Sequence, residues 1–419
     1  MASATLSVYP DASSIEDGRL LVGGCDAVAL AREFGTPAYV VAEDSLRARA
    51  REYVAALAEH HDGPGEILFA AKSFACTAVL RVFSEEGLGC LVSTGGELHL
   101  ALKAGFDPAR IQMHGNAKSV SELRAAIEAG VGTIVVDSFD DIERLNQMVP
   151  VGHRQRVLVR VMPGVKTDTH AKIATGHDDV KFGLNLTDSA AAFERIRASD
   201  RLHAGGVHVH LGSQLFDTGS WRAGAEALAP LGEMEDYDLG GGLGVPYTRE
   251  DPSVSVDAYV GAKAEALRQL AGPGKKMLIE PGRSLVASAA VTLYTVETVK
   301  RGEWRKWVAV DGGMSDNLRP MLYGARYEAA IADRMQAGGE LCTVVGKHCE
   351  SGDELLRDVP LADPRPGDIL VTPVTGAYCF SLASNYNAVP RPPVIFCSAG
   401  QARVVVRRET YDDLTGRDV

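Results

Sequence analysis

The chain has 419 residues, more than one hydrophobic core usually holds, so two domains are expected. Its 46% hydrophobic and 23% charged residues are ordinary for a globular protein. A net charge of −12, from 43 basic and 55 acidic side chains with no basic run, argues against nonspecific binding to nucleic acid or to an anionic membrane.

The opening residues lack the charged and apolar segments of a signal peptide. No stretch is long and apolar enough to span a bilayer, so a cytoplasmic chain with no membrane partner is expected. A strand-like run at 37–42 comes first. From residue 67 a pattern recurs, in which a short apolar run ends in polar residues or glycine and a helical period follows. The runs fall at 67–72, 90–94, 111–116, 133–138, 156–163, 206–213, 237–242 and 277–283. Apolar residues at three- and four-residue spacing mark helices at 97–104, 121–129, 140–148, 190–198 and 256–270. This alternation implies βαβ units and a parallel sheet. Eight strands close a (β/α)8 barrel, with an open doubly wound sheet as the alternative. The run at 37–42 is surplus to the eight. After residue 283 the texture changes to strand-like runs at 290–299, 306–310, 341–345, 368–372, 394–397 and 402–406, separated by turns. The expected organisation is a barrel domain over 36–285 and a mostly β barrel or sandwich domain built from 1–35 and 286–419. Seven cysteines are scattered, odd in number and without a CxxC pair, so neither a disulfide framework nor a metal site is expected.

In such barrels the chemistry gathers at the C-terminal ends of the strands. The first run ends in Lys72, the third in His114, and the fifth carries Arg160. The sixth ends in His210-Leu211-Gly212-Ser213-Gln214, the seventh in Gly240-Gly241-Gly242-Leu243-Gly244, and the eighth in Glu280-Pro281-Gly282-Arg283. Lys72 reads either as a surface lysine at a strand end or as an amine that condenses with an aldehyde cofactor. Glycines at 240–244 allow backbone N–H groups to approach a phosphate, although many tight turns are also glycine-rich. A dinucleotide reading fails, because the loop comes late and no acidic ribose partner follows. His210 is a buried, satisfied histidine or a ring facing a flat cofactor, with the Ser213 hydroxyl beside it. Glu280 is an ion-pair partner of Arg283 or the group that holds a proton on a pyridine nitrogen.

Taken together, these residues resemble the fold-type III pyridoxal-phosphate decarboxylases over nearly the whole chain. Ala70-Ala71-Lys72 is similar to the family's lysine strand. His114-Gly115-Asn116-Ala117-Lys118-Ser119, Lys181-Phe182-Gly183 and His208-Val209-His210-Leu211-Gly212-Ser213-Gln214 are similar to its barrel motifs, as are the glycine loop and Glu280-Pro281-Gly282-Arg283. In the second domain the matching segments are Asp311-Gly312-Gly313-Met314, Arg319-Pro320 with Tyr323-Gly324, Cys349-Glu350-Ser351-Gly352-Asp353 and Gly376-Ala377-Tyr378. Each alone is a modest signal; the ordered set is specific. Ser73-Phe74 departs from the Ala-Asn that many relatives carry.

The resemblance implies an alanine-racemase-like barrel, pyridoxal 5'-phosphate (PLP) as cofactor, and a homodimer with shared active sites. It implies that Lys72 carries PLP, His210 stacks on the pyridine and Glu280 pairs with its nitrogen. Ser213, Gly241, Gly242, Gly282, Arg283 and Tyr378 are implied around the cofactor, most of them near its phosphate. Arg283, Arg319 and Tyr323 are implied to grip the substrate's distal carboxylate, with Tyr378 nearby. Cys349 is implied to return a proton to the substrate carbon and Glu350 to bind a distal ammonium, both from the second subunit. The match is closest to the branch that converts meso-diaminopimelate to L-lysine and CO2. Ornithine, arginine and carboxylated polyamine or siderophore precursors are the alternative substrates, and a catalytically dead regulator on the same fold is the rival class.

Overall fold

The computed structural model describes residues 6–164, 181–335 and 338–419. The chain divides into two compact units. One comprises Arg49–Gly244 and Ser253–Gly282; the other comprises Met1–Ala48, Val245–Pro252 and Arg283–Val419.

The first unit is a closed barrel of eight parallel strands: Gly65–Ala70, Gly89–Val92, Ile111–Met113, Thr133–Val136, Gln155–Arg160, Leu202–His208, Asp236–Asp238 and Lys276–Ile279. Each strand pairs with its neighbours in sequence, and the last closes on the first through Met277–Gly65, Leu278–Glu66 and Ile279–Ile67. The eight predicted runs therefore become the eight staves, and the open-sheet alternative is excluded. Leu68, Ala70, Leu91 and Leu278 cluster as buried residues of these strands, which gives the apolar runs their reason.

The helices start and stop where local chemistry says they should. Ser119 and Glu122 form a capping box ahead of Val120–Ala129, and Gly130 ends that helix in the left-handed region. Thr94 caps Gly95–Ala104 and Ser255 caps Val256–Ala271. Two differences from the sequence reading have simple causes. The sixth strand begins at Leu202 rather than at residue 206, because a bulge between Ala204 and Gly206 breaks the run of apolar residues. Several predicted runs also overshoot: pairing stops at Met113, Val136 and Asp238, and the residues beyond them form loops.

The second unit is built on β-structure. Three short antiparallel strands, Ser13–Glu16, Arg19–Val22 and Cys25–Asp26, form one small sheet. The main sheet runs in the order Glu354–Leu361, Glu340–Val345, Lys306–Val310, Ala290–Arg301, Ala38–Ala42, Val394–Ser398, Gln401–Val406. Ile369–Pro373 pairs on the long strand Ala290–Arg301 and in turn carries Ala330–Ile331. The run at 37–42, surplus to the barrel, thus pairs with Ala290–Arg301 and Val394–Ser398 in this sheet. Every residue from Ala38 to Ala42 is buried, as expected of a central strand. Glu354–Leu361 was not predicted: Glu354, Arg357, Asp358 and Pro360 disguise it, and they suit its place at the sheet edge. The opposite edge, Gln401–Val406, contains three consecutive valines and no proline, and Val404 there is 45% exposed. Among the described residues no helix is long and apolar enough to cross a membrane.

Candidate active site

Each unit carries part of the predicted set. In the barrel, Lys72 stands not on a strand but on the single 3-10 turn Ala71–Ser73 that follows the first stave. The Ser73 hydroxyl donates to the Ala70 carbonyl at 2.9 Å, and the Ala70 amide donates to the Pro281 carbonyl at 3.1 Å. Ala71 and Ser73 are buried while Lys72 between them is exposed, so the turn holds the backbone and presents the amine.

Across the mouth a buried acid cluster has formed. Glu280 follows the eighth stave, His114 follows the third, and His208 ends the sixth. The Glu280 carboxylate lies 2.9 Å from His114 Nε2 and 3.2 Å from His208 Nε2. A carboxylate only accepts, so both rings carry their proton on Nε2. That leaves His208 Nδ1 a buried acceptor with no partner. Burial keeps the two rings neutral, with His114 pushed down to about 4 and His208 also lowered. Burial works to raise Glu280, yet His114 and His208 hold it well below the usual carboxylate range. Asp238, the last residue of the seventh stave, behaves oppositely: burial, then the neighbouring Glu280 charge, pushes it well above that range. The Gln112 amide donates to both acids. The cluster therefore holds one negative charge, on Glu280, in a site dry enough to strengthen any bond made to it.

The glycine loop lies beside this cluster. A Cβ on Gly241 would stand 2.3 Å from the Glu280 carbonyl. Gly242 has φ +110°, and a Cβ there would meet the Gly212 carbonyl at 2.8 Å. Only glycine fits at either position, because the loop packs directly against these two carbonyls. The Gly241 amide donates to His210 Nδ1 at 3.2 Å. Burial, then the Lys72 charge, keeps His210 well below its ordinary value, so the ring is neutral. Ser213 and Gly282 are half-buried in neighbouring loops. Arg160 ends the fifth stave, 3.8 Å from Asp137, with Phe182 stacked on its guanidinium at 4.4 Å.

In the β-rich unit two arginines share one tyrosine. Arg283 Nη1 donates to the Tyr247 hydroxyl at 2.6 Å, and the Arg319 guanidinium lies 4.2 Å above the Tyr247 ring. Tyr378 lies under Arg283 at 4.8 Å, and Tyr327 accepts a hydrogen bond from Arg319. Arg319 is buried, and its Nε has no partner, so a cation with an unused donor waits in this cluster. Tyr323 ends the short helix Arg319–Tyr323, and Gly324 closes it in the left-handed region. Cys349 and Glu350 lie apart on an exposed loop, where the Cys349 amide donates to Asn387 Oδ1 at 2.9 Å. No hydrogen bond or ion pair links either residue to Arg319 or Tyr323 among the described residues. Cys349 is the only exposed cysteine of the seven.

Sequence reasoning missed Asp238, Gln112, Tyr247 and Lys263. Signals existed for two of them. Asp238 is an acid inside the apolar run Tyr237-Asp238-Leu239, directly before the glycines. Lys263 falls on the apolar stripe Val256, Tyr259, Val260, Ala264 and Leu267, where a lysine is out of place. Gln112 and Tyr247 carried none.

Comparison with known proteins agrees with this geometry. Residues 43–287 match the family described as "Pyridoxal-dependent decarboxylase, pyridoxal binding domain". The chain is 46% identical to a diaminopimelate decarboxylase of Actinosynnema pretiosum, over 98% of this chain and 95% of that one. It is 44% identical to the diaminopimelate decarboxylase of Mycobacterium tuberculosis, over 96% of each. Among solved structures, diaminopimelate decarboxylase from M. jannaschii in complex with L-lysine superposes with a TM-score of 0.91 at 33% identity, covering 98% of both chains.

Proposed function

The chain belongs to the pyridoxal-dependent decarboxylase family, and on that premise we propose that it removes one carboxyl group from meso-diaminopimelate, releasing CO2 and L-lysine. The observation that carries this reading is the buried Glu280 carboxyl group within hydrogen-bond reach of His114 and His208, in the same barrel mouth as an exposed lysine and a loop that only glycine can form. These residues fit pyridoxal 5'-phosphate. When bound, that cofactor supplies a protonated pyridine ring that takes up the electron pair left by the departing CO2. Lys72 would hold it through its aldehyde carbon. Glu280 would keep the ring nitrogen protonated, because a carboxylate held ionised in a dry site stabilises a proton beside it. His210, neutral, would lie against the ring. Ser213, Gly241, Gly242, Gly282, Arg283 and Tyr378 would surround it, most of them near the phosphate.

Substrate recognition falls to the β-rich unit. Meso-diaminopimelate carries an amino acid group at each end, so its distal carboxylate needs a cation and its distal ammonium an anion. Arg319, with Arg283, Tyr323 and Tyr378, would supply the first and Glu350 the second. The exposed Cys349 thiol would return a proton to the substrate carbon. We place Cys349 and Glu350 in the site of a second subunit of a homodimer. Their exposure on a loop, with no hydrogen bond or ion pair to Arg319 among the described residues, supports this. Buried or free thiols, with no disulfide among the described residues, suit a reducing cytoplasm.

A CO2-release screen over meso-diaminopimelate, ornithine, lysine and arginine tests the reading. Release from meso-diaminopimelate alone is expected, and preferential release from ornithine would overturn the substrate assignment. The acid cluster allows a sharper check. Glu280→Gln removes the single negative charge and should lower kcat by about a hundredfold or more, the usual cost of a lost charge at a reacting centre. Asp238→Asn swaps a neutral acid for a neutral amide and should leave kcat near wild type. Equal losses in the two variants would show that the charge is not on Glu280.

A further inference from the structure

Behind the glycine loop of the barrel lies a buried lysine. Lys263 is 1% exposed and sits on the apolar face of the helix Val256–Ala271. Its ammonium donates to three consecutive main-chain carbonyls: those of Leu239, of Gly240 at 2.8 Å and of Gly241 at 3.3 Å. Tyr259, one turn earlier, donates its hydroxyl to the Gly240 carbonyl at 3.3 Å and lays its ring 4.7 Å from the ammonium. A lysine is among the costliest residues to bury, so a purely space-filling role is a poor account of it. Burial pushes this ammonium down to about 7. The geometry nevertheless fits the charged form: three acceptors use all three N–H bonds, whereas a neutral amine would turn its lone pair on one of them.

The planarity of the peptide gives these bonds a second effect. In a trans peptide the carbonyl of one residue and the amide of the next point in opposite directions. With the carbonyls of Leu239, Gly240 and Gly241 turned to Lys263, the amides of Gly240, Gly241 and Gly242 are turned away from it. Two of them reach groups of the site already described: Gly240 donates to Asp238 Oδ1 at 2.9 Å, and Gly241 to His210 Nδ1 at 3.2 Å. Glycines have no side chain to fix their own dihedral angles, so an outside clamp is what holds such a loop in one conformation.

We propose that Lys263 is a positioning residue for the cofactor phosphate: without touching it, the ammonium fixes three successive peptide planes, holds the Gly240 and Gly241 amides on Asp238 and His210, and so sets the amide of Gly242 to receive an anion. The inference rests on the reading of this barrel as a pyridoxal-phosphate site. It requires that Lys263 matter for a ligand that has a phosphate and not for the same ligand without one.

The experiment compares pyridoxal 5'-phosphate with pyridoxal, its phosphate-free form, on the full chain. Affinities are read from the absorbance change on reaction with Lys72, alongside thermal melting. Lys263→Met should bind pyridoxal 5'-phosphate about tenfold more weakly or worse, as expected when buried acceptors lose a charged donor, and pyridoxal almost as wild type does. Lys263→Gln, which keeps a donor but no charge, should fall between. Should the Met variant not fold, the Gln variant and Tyr259→Phe give the same ratio, with the Phe change expected to be small and in the same direction. A folded variant that loses both affinities equally overturns the inference, because Lys263 would then only support the core. If the wild-type chain does not react with pyridoxal 5'-phosphate at all, the proposed function fails and this inference with it, an outcome distinguishable from failure in the variants alone.

Discussion

Lys72→Ala should be inactive, with turnover reduced by at least about a thousandfold, the scale on which covalent catalytic groups act. Borohydride treatment of the wild-type holoenzyme should bleach its colour and leave a pyridoxyl group that peptide mapping finds on Lys72. The neighbouring lysines are poorer candidates on structural grounds. Lys118 is completely buried, paired with Asp141 at 2.8 Å and donating to the Val135 carbonyl at 2.8 Å, so it has neither access nor a free lone pair. Lys181 holds its ammonium 4.9 Å from the Phe182 ring. An adduct on either would overturn the assignment. The same variant also tests the shared site. Mixed with Cys349→Ala under conditions that let subunits exchange, half of the dimers become hybrids. Each hybrid has one site with both defects and one with neither, so activity should return to roughly a quarter of wild type. With exchange independently confirmed, no recovery would show that both residues act within one chain.

Arg319→Ala should impair diaminopimelate turnover nearly as severely. The guanidinium is buried, stacked on Tyr247 and left with an unused Nε donor, so a carboxylate that meets it is desolvated and directional. Truncating one partner of such a pair costs about 2–5 kcal/mol, or roughly thirty- to several-thousand-fold in kcat/KM. Arg319→Lys should recover little, because an ammonium can neither stack on the ring in the same way nor present two parallel donors. The cofactor absorbance should survive in both variants, which separates substrate binding from cofactor loss. Wild-type-like kinetics in Arg319→Ala would remove the reason for preferring diaminopimelate to ornithine.

The architecture was legible because its signals are periodic. Eight apolar runs with helices between them could only close a barrel or open into a sheet, and the pairing of Lys276–Ile279 with Gly65–Ala70 decides between them. Residues that stand alone at strand ends, such as Lys72, Glu280 and His210, were readable because the fold class says where chemistry collects. The electrostatics were not. Nothing in the sequence says which of Asp238 and Glu280 is ionised; that depends on two histidines arriving from staves remote in the chain. Tyr247, between two arginines, was equally invisible, since its partners lie tens of residues downstream. The edge strand Glu354–Leu361 was missed for the opposite reason: its charges and its proline look like a loop.

The two ends of the main sheet are unequal in a way that bears on handling rather than catalysis. At Glu354–Leu361, charges and a proline deny an incoming strand its ladder of hydrogen bonds. At Gln401–Val406 the same ladder is offered by an uncharged valine run with only Arg403 to interrupt it. Among the described residues, that end is where chains at high concentration would begin to stack into fibrils. A single lysine in place of the outward-facing Val404 would blunt it, at a site remote in sequence from every residue assigned a role in turnover.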